Sequence, residues 1–180
     1  MKETKKTVDL IRRMVFAAVC LALAMVLPFL TGQVPKFGSM LCPMHIPVLL
    51  AGFLCGPWWA AAVGVVAPVL RYMLFGMPPL LPVGAAMSAE LLAYGLAVGL
   101  LYRVLPKKNR SVYIALIGAM LAGRVVWGVV AKLLYSAMGM DFTWQVFFAG
   151  AFLDAIPGII VHIVLIPAVV IALKKAKIMN

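Results

Sequence analysis

Long apolar stretches follow one another along this chain, and only a membrane-embedded fold can bury so many of them. A stretch of about 20 apolar residues is what an α-helix needs to cross the ~30 Å hydrocarbon core of a bilayer. Hydrophobic residues make up 66% of the 180-residue chain and charged residues only 12%, which excludes a soluble globular domain. The alternation of apolar and polar residues that is typical of membrane β-barrel strands is absent from the sequence. The sequence therefore predicts an all-α integral membrane protein.

Six apolar segments can be delimited. They predict six transmembrane helices in a single membrane domain covering residues 1–180, with a basic tail over about residues 1–10. The second segment is short for a membrane span, so we expect it to be tilted, extended by its neighbours or partly buried in protein. The segments are Ile11–Leu30, His45–Cys55, Trp58–Phe75, Pro82–Leu105, Val112–Met138 and Val146–Leu173.

The distribution of charge predicts the topology. The formal net charge of +11 comes from 16 Lys and Arg against 5 Asp and Glu, and most of the cations lie in residues 1–13, 103–110 and 174–177. If the six helices alternate in direction, these three clusters lie on the same side as both termini, and Lys36 is the only cation in the predicted external loops. The positive-inside rule therefore places both termini in the cytoplasm. Because topology accounts for the charge, we do not expect nucleic-acid binding.

Five ionisable residues lie within the predicted spans, where an unpaired charge is costly. Counting ~1.5 Å per helical residue from the predicted external ends places four of them at one level in the outer half of the membrane, with the fifth, Arg124, deeper. Two aromatic residues accompany these charges on the same helices. We therefore predict a ligand pocket that opens to the exterior, the alternative being structural ion pairs between helices. The predicted substrate-binding residues are Arg71, Glu90, Tyr94, Trp127, Lys132 and Asp154.

Catalytic and metal-binding motifs are absent from the sequence. Cys20, Cys42 and Cys55 show no zinc-ligand spacing, so we predict no metal site. The chain has no hydrolase motif and no Walker A sequence, so we expect neither an enzyme nor a cofactor. His162 shares a helix face with Asp154, which suggests a proton relay. A solitary proton-coupled carrier is therefore the alternative from the transporter class, and an intramembrane hydrolase the alternative from the enzyme class.

The first helix carries small side chains at helical spacing, with Ala18 and Ala22 as the clearest pair. Small residues let two helices approach closely in lipid, where van der Waals contact contributes to association. We interpret this stripe as a candidate docking face for another helix, with packing inside the bundle as the alternative.

Three stretches of the sequence carry a family resemblance. They are Ala17–Ala24, Pro43–Pro57, and Gly76-Met77-Pro78-Pro79 followed by Glu90–Gly95. Their order on six predicted helices with both ends inside resembles the substrate-binding S components of energy-coupling factor (ECF) transporters. The branch for riboflavin, pantothenate and hydroxymethylpyrimidine is the most similar, and the resemblance covers nearly the whole chain.

The resemblance implies a substrate-binding subunit of an ABC importer in a prokaryotic plasma membrane rather than an enzyme. The implied partners are a transmembrane scaffold subunit, on which Ala18 and Ala22 would dock, and two cytosolic ATPases that use the ATP. The resemblance also implies that the ligand is captured at the external face and delivered by toppling of the whole subunit.

The implied ligand is a small polar micronutrient whose identity the sequence leaves open. Arg71 or Lys132 would suit a carboxylate such as that of pantothenate, and Glu90 or Asp154 would suit the amino group of a pyrimidine or of a deazapurine such as queuine. Riboflavin belongs to the same set of candidates. We expect Glu90→Gln and Lys132→Met each to weaken binding about tenfold or more without loss of folded protein.

Overall fold

The described part of the chain is a bundle of α-helices. The computed structural model describes residues 2–31 and 40–179, and these residues contain no β-strand. Lys36, the cation predicted for the first external loop, lies outside them. The helices with described bounds are α1 (Lys2–Val26), α2 (His45–Leu54), α3 (Pro57–Phe75), α4 (Ala85–Val104), α5 (Asn109–Ala137), α6 (Trp144–Phe148) and α7 (Ile156–Lys175).

Five helical stretches in the described part are long and apolar enough to cross a membrane. The last of them joins α6, a π-helical turn at Ala149–Leu153, and α7. Together with the shorter α2 they match the six segments delimited in the sequence, and the prediction of an all-α membrane fold is confirmed. The five stretches are Thr4–Leu30, Pro57–Phe75, Leu80–Val104, Asn109–Ala137 and Trp144–Lys175.

The short α2 lies inside the bundle. Eight of its ten residues are buried, and it contacts α1, α3, α4 and α7. At ~1.5 Å per residue its length is about half the thickness of the hydrocarbon core. Because other helices surround it, its backbone and polar side chains are shielded from lipid without a full-length span. Of the three expectations for this segment, burial in protein is confirmed.

Glycines allow α3 and α4 to approach closely. A Cβ atom on Gly64 of α3 would lie 2.5 Å from the backbone oxygen of Leu91, and one on Gly95 of α4 would lie 2.6 Å from the backbone carbon of Ala60. Side chains at either position would push the two backbones apart. This contact holds α4, which carries Glu90, against α3.

Residues of α1 divide between the bundle and the outside. Ala17, Cys20 and Ala24 are buried in the bundle, whereas Ala18 and Ala22 are exposed. No contact within residues 2–31 and 40–179 buries the predicted docking pair.

One face of α5 is directed away from the bundle. Leu121, Val125, Val129 and Leu133 recur every four residues and are 55%, 61%, 56% and 65% exposed. In a membrane protein such a stripe faces the lipid. The side of α5 that faces α4 carries Arg124, which is 7% exposed.

Candidate functional site

Glu90 is the centre of a buried group of polar side chains. It lies in the second turn of α4 and is 2% exposed. Arg124 of α5 places its Nη1 3.0 Å from Glu90 Oε1, and the Tyr94 hydroxyl, one turn along α4, donates to the same oxygen at 3.0 Å. His45, at the start of α2, places its Nε2 3.3 Å from Glu90 Oε2. The angles of the His45 contact fall short of a hydrogen bond, so we treat it as a close electrostatic contact.

A second histidine reaches the same place from α7. The rings of His162 and His45 stack with their centroids 6.1 Å apart and their planes 20° apart, and both residues are 2% exposed. His162 donates a hydrogen bond to the backbone carbonyl of Cys42, and Arg124 Nη2 lies 3.9 Å from the Cys42 sulfur. We call His45, Glu90, Tyr94, Arg124 and His162 the Glu90 cluster.

Glycines bring the elements of the Glu90 cluster together. A Cβ atom on Gly158 of α7 would lie 2.6 Å from the backbone oxygen of Met40, so only a glycine lets residues 40–42 run against this helix. His162 follows one turn later, within reach of the Cys42 carbonyl. On α5, a Cβ atom on Gly123 would overlap the ring of Tyr94. The glycine thus makes room for Tyr94 beside Arg124.

The Glu90 cluster contains buried polar atoms without hydrogen-bond partners among the described residues. Apart from His45 Nε2, which makes the electrostatic contact with Glu90, they are His45 Nδ1, His162 Nε2 and Arg124 Nε. Leaving such a group unpaired away from water costs about 1–3 kcal/mol. Buried polar groups in native proteins are therefore nearly always satisfied by protein, water or a ligand. Three unsatisfied atoms around one ion pair make the Glu90 cluster a candidate binding site.

Arg71, one of the predicted substrate-binding residues, has a different role in the structure. It is 5% exposed, and its Nη1 donates to the backbone oxygen of Met25 at 2.9 Å. Its guanidinium lies 5.4 Å and 5.2 Å from the ring centroids of Phe29 and Phe75. Arg71 therefore joins the C-terminal end of α3 to the end of α1.

Lys132 lines a groove between α5 and α6, and Trp127 contacts one of the lining residues, Phe147. The groove has a volume of about 290 Å³ and a mostly apolar lining. Lys132 Nζ lies 5.9 Å from the ring centroid of Trp144, and the Trp127 ring packs behind the groove against Phe147 at 6.1 Å. The lining residues are Val125, Gly128, Val129, Lys132, Phe142, Thr143, Trp144 and Phe147.

The structure does not bring the six predicted residues into one site. Glu90 and Tyr94 lie in the Glu90 cluster, but Arg71, Lys132 and Trp127 have the separate surroundings described above. Asp154 is exposed and forms no ion pair among the described residues. No described contact joins Asp154 to His162, the two residues of the suggested proton relay.

The Glu90 cluster includes His45, Arg124 and His162, which were left out of the predicted site. Counting from the predicted helix end puts Arg124 deeper than Glu90, whereas the two side chains are in contact. With 29 residues, α5 is about 44 Å long, longer than the bilayer core. Counting from its end does not give a reliable depth. The useful signal was the presence of a histidine or arginine in an apolar run, because such a residue must find a polar partner.

Comparison with known families decides the assignment of the chain. The model of the family described as ECF transporter, substrate-specific component, matches residues 12–170. The chain belongs to this family. No curated protein and no solved structure matches it. It is thus a multi-pass membrane S component, a transport subunit that binds a vitamin-type substrate and is not itself an enzyme.

The S component has no evident metal centre in its described part. No group of three or more His, Cys, Asp or Glu residues is arranged there to hold a metal ion. His45, Glu90 and His162 lie near one another, but Glu90 is already engaged by Arg124 and Tyr94.

Proposed function

We propose that this S component captures a small, neutral nitrogen heterocycle in the Glu90 cluster. The observation that carries the proposal is the set of three buried, unpartnered nitrogens of His45, His162 and Arg124 around an ion pair. A ligand that satisfies them gains hydrogen bonds in a site shielded from water, where such bonds discriminate strongly between related molecules.

The charge of the Glu90 cluster favours a neutral ligand. Glu90 and Arg124 lie 3.0 Å apart and balance each other, so neither provides a free charge for an ionic ligand. A buried carboxylate needs a cation of its own and a buried ammonium needs an anion. The carboxylate of pantothenate would therefore fit this cluster poorly, although the sequence alone leaves it open.

The hydrogen-bonding capacity of the three nitrogens further restricts the chemical classes of ligand that fit the cluster. The Glu90 carboxylate favours a proton on His45 Nε2, and His162 donates to the Cys42 carbonyl. In neutral imidazoles the other nitrogen then accepts a hydrogen bond. Two acceptors and the Arg124 Nε donor match a heterocycle with two N–H groups and one acceptor, as in aminopyrimidines and deazapurines.

The transport cycle proposed for this S component follows its family. It would bind a scaffold subunit through Ala18 and Ala22, and two cytosolic ATPases would drive delivery in a prokaryotic plasma membrane. Capture at the external face followed by toppling is the proposed route. The exposure of Ala18 and Ala22 supports this role for α1, and no described contact favours the proton-coupled alternative.

Binding measurements on His162 variants test the proposed site. Native mass spectrometry of the purified protein first identifies a co-purifying molecule, and calorimetry then measures its affinity alongside an aminopyrimidine, a 7-deazaguanine, riboflavin and pantothenate. His162→Asn keeps a donor near the Cys42 carbonyl but removes the Nε2 acceptor. We expect it to weaken binding of the heterocycle about tenfold, the effect of one lost hydrogen bond. His162→Gln, which keeps a polar atom near Nε2, should weaken binding less.

Lys132→Met discriminates between the Glu90 cluster and the groove. Lys132 lies in the groove and makes no described contact with the cluster. We therefore replace the expectation from the sequence, a loss of about tenfold, and expect this variant to bind the heterocycle as the natural protein does. A loss of affinity in Lys132→Met with unchanged affinity in His162→Asn would place the ligand in the groove. Tight binding of pantothenate alone would contradict the neutral heterocycle.

A further inference from the structure

A second group of unsatisfied polar atoms lies at the end of the bundle that the cation distribution assigns to the cytoplasm. Tyr102 is in the last turn of α4 and Lys174 in the last turn of α7. Lys107 follows α4 in the connection to α5. The ammonium nitrogens of Lys107 and Lys174 lie 3.8 Å and 5.1 Å from the centroid of the Tyr102 ring. We call these three residues the Tyr102 cluster.

Two donors of the Tyr102 cluster lack acceptors. Lys174 Nζ and the Tyr102 hydroxyl are buried without a hydrogen-bond partner among the described residues. Tyr102 is 5% exposed, and the ring of Phe53 packs against its ring with centroids 5.0 Å apart. Cation–π contact compensates an ammonium only in part. The unpaired charge of Lys174 is thus a cost that an anion would remove.

One N–H group of Lys107 is engaged in a hydrogen bond inside the protein. Its Nζ donates to the backbone oxygen of Tyr102 at 2.6 Å, where it stabilises the C-terminal end of α4. Its two other N–H groups are available because the residue is exposed. Partial desolvation of its ammonium group, together with the nearby charges of Lys174 and Arg103, lowers the pKa of Lys107 below its ordinary value. Removing the repulsion between these cations also requires negative charge.

The surrounding sequence offers no carboxylate. Residues 103–110 and 174–177 contain seven Lys and Arg and no Asp or Glu. No side chain caps the start of α5, whose N-cap is Lys108, and its first turn has no acidic residue. The backbone N–H groups of that first turn therefore add to the positive field at this end of the bundle.

We propose that the Tyr102 cluster binds the phosphate of an anionic phospholipid in the cytoplasmic leaflet. A phosphate oxygen accepts readily from an ammonium and from a hydroxyl. The lipid is favoured over a free phosphate because apolar surface continues from the cluster toward the membrane. Leu100, Leu101 and Val104 on the same turns of α4 are 49%, 37% and 87% exposed. Acyl chains can cover these side chains while the headgroup contacts the cations.

Lipid binding to matched lysine variants tests this proposal. The delipidated protein is titrated with phosphatidylglycerol, phosphatidylcholine of the same acyl chains, or inorganic phosphate, and native mass spectrometry reports the bound species. We expect phosphatidylglycerol to bind more tightly than phosphatidylcholine. Lys174→Met should weaken phosphatidylglycerol binding about tenfold, because it removes a charge-assisted bond in a buried position.

Lys175→Met is the matched control, since it removes the same charge from an exposed neighbour in the same turn. We expect it to change the affinity by less than about twofold. Tyr102→Phe removes only the unpartnered hydroxyl and should weaken binding by an intermediate factor. Thermal unfolding in lipid-free detergent shows whether Lys174→Met is folded. If it is not, the lipid affinity of Tyr102→Phe tests the proposal instead.

Three results would overturn the proposal. Equal losses in Lys174→Met and Lys175→Met would show general attraction of anionic lipid to a basic surface. Displacement of phosphatidylglycerol by inorganic phosphate would identify a free anion as the ligand. Unchanged lipid binding in both Lys174→Met and Tyr102→Phe would leave an acidic side chain of a partner protein as the occupant of the Tyr102 cluster.

Discussion

Glu90 and Arg124 form an ion pair that is almost fully shielded from solvent, and this changes what a single substitution does. Glu90→Gln removes the charge that compensates Arg124 and leaves a cation buried at membrane depth. Breaking a buried pair in this way costs about 3–5 kcal/mol. We therefore expect Glu90→Gln to lower the thermal unfolding temperature in detergent, in addition to any effect on ligand binding. The expectation from the sequence, a loss of binding without loss of folded protein, does not take this pair into account.

A double variant measures the interaction between Glu90 and Arg124 separately from their contacts with other residues. Glu90→Gln combined with Arg124→Gln removes both charges and should be more stable than the sum of the two single effects predicts. Strict additivity in the double-mutant cycle would contradict a direct interaction between the two side chains. Lys132→Met, at an exposed position, controls for the loss of any intramembrane cation and should leave the unfolding temperature nearly unchanged.

At the scale of single helices, two neighbouring alanines of α1 face in different directions. Ala18 is exposed and Ala17 is 6% exposed. We expect Ala18→Phe to weaken co-purification with the scaffold subunit while leaving substrate affinity intact, because it blocks close approach of a partner helix. Ala17→Phe should destabilise the isolated protein by about 1–3 kcal/mol through overpacking. Equal effects of both substitutions on stability would show that Ala18 also packs inside the bundle.

The contact between α3 and α4 depends on the absence of side chains. Gly95→Ala would place a methyl group 2.6 Å from the Ala60 backbone carbon, so we expect a loss of about 1–3 kcal/mol in unfolding free energy. Gly118→Ala in α5 is the control, because its methyl group would meet only the flexible end of Leu101 at 3.0 Å. Thermal unfolding of the two variants measures the difference, and equal stability would contradict the close helix contact.

For the whole molecule, membership in the S-component family predicts that transport needs partners. Reconstituted with a scaffold subunit and two ATPases, the protein should support substrate uptake only when ATP is hydrolysed. A substitution of the Walker A lysine in the ATPases should abolish uptake and leave substrate binding to the S component unchanged. Uptake by the chain alone in liposomes with a proton gradient would instead establish a solitary carrier.

The apolar segments follow from the sequence by itself, and the cation clusters predict their topology. Hydropathy and cation clusters are properties of successive residues, and the bilayer acts on each segment almost independently of the others. The structure therefore agrees with all six apolar segments. Glu90 and Tyr94 could be identified in the same way, since an ionisable or hydroxyl group in an apolar run needs a partner.

Only the tertiary structure decided which polar residues meet. The pairing of Glu90 with Arg124 rather than with Lys132 depends on how α5 is shifted along α4 and rotated against it. The positions of His45 and His162 depend on the burial of α2 and on the close approach of residues 40–42 to Gly158. These contacts involve several helices at once, and they depend on small steric differences at glycine positions. Hydropathy carries no information about rotation or sliding of one helix against another, so the site could not be assembled from the sequence alone.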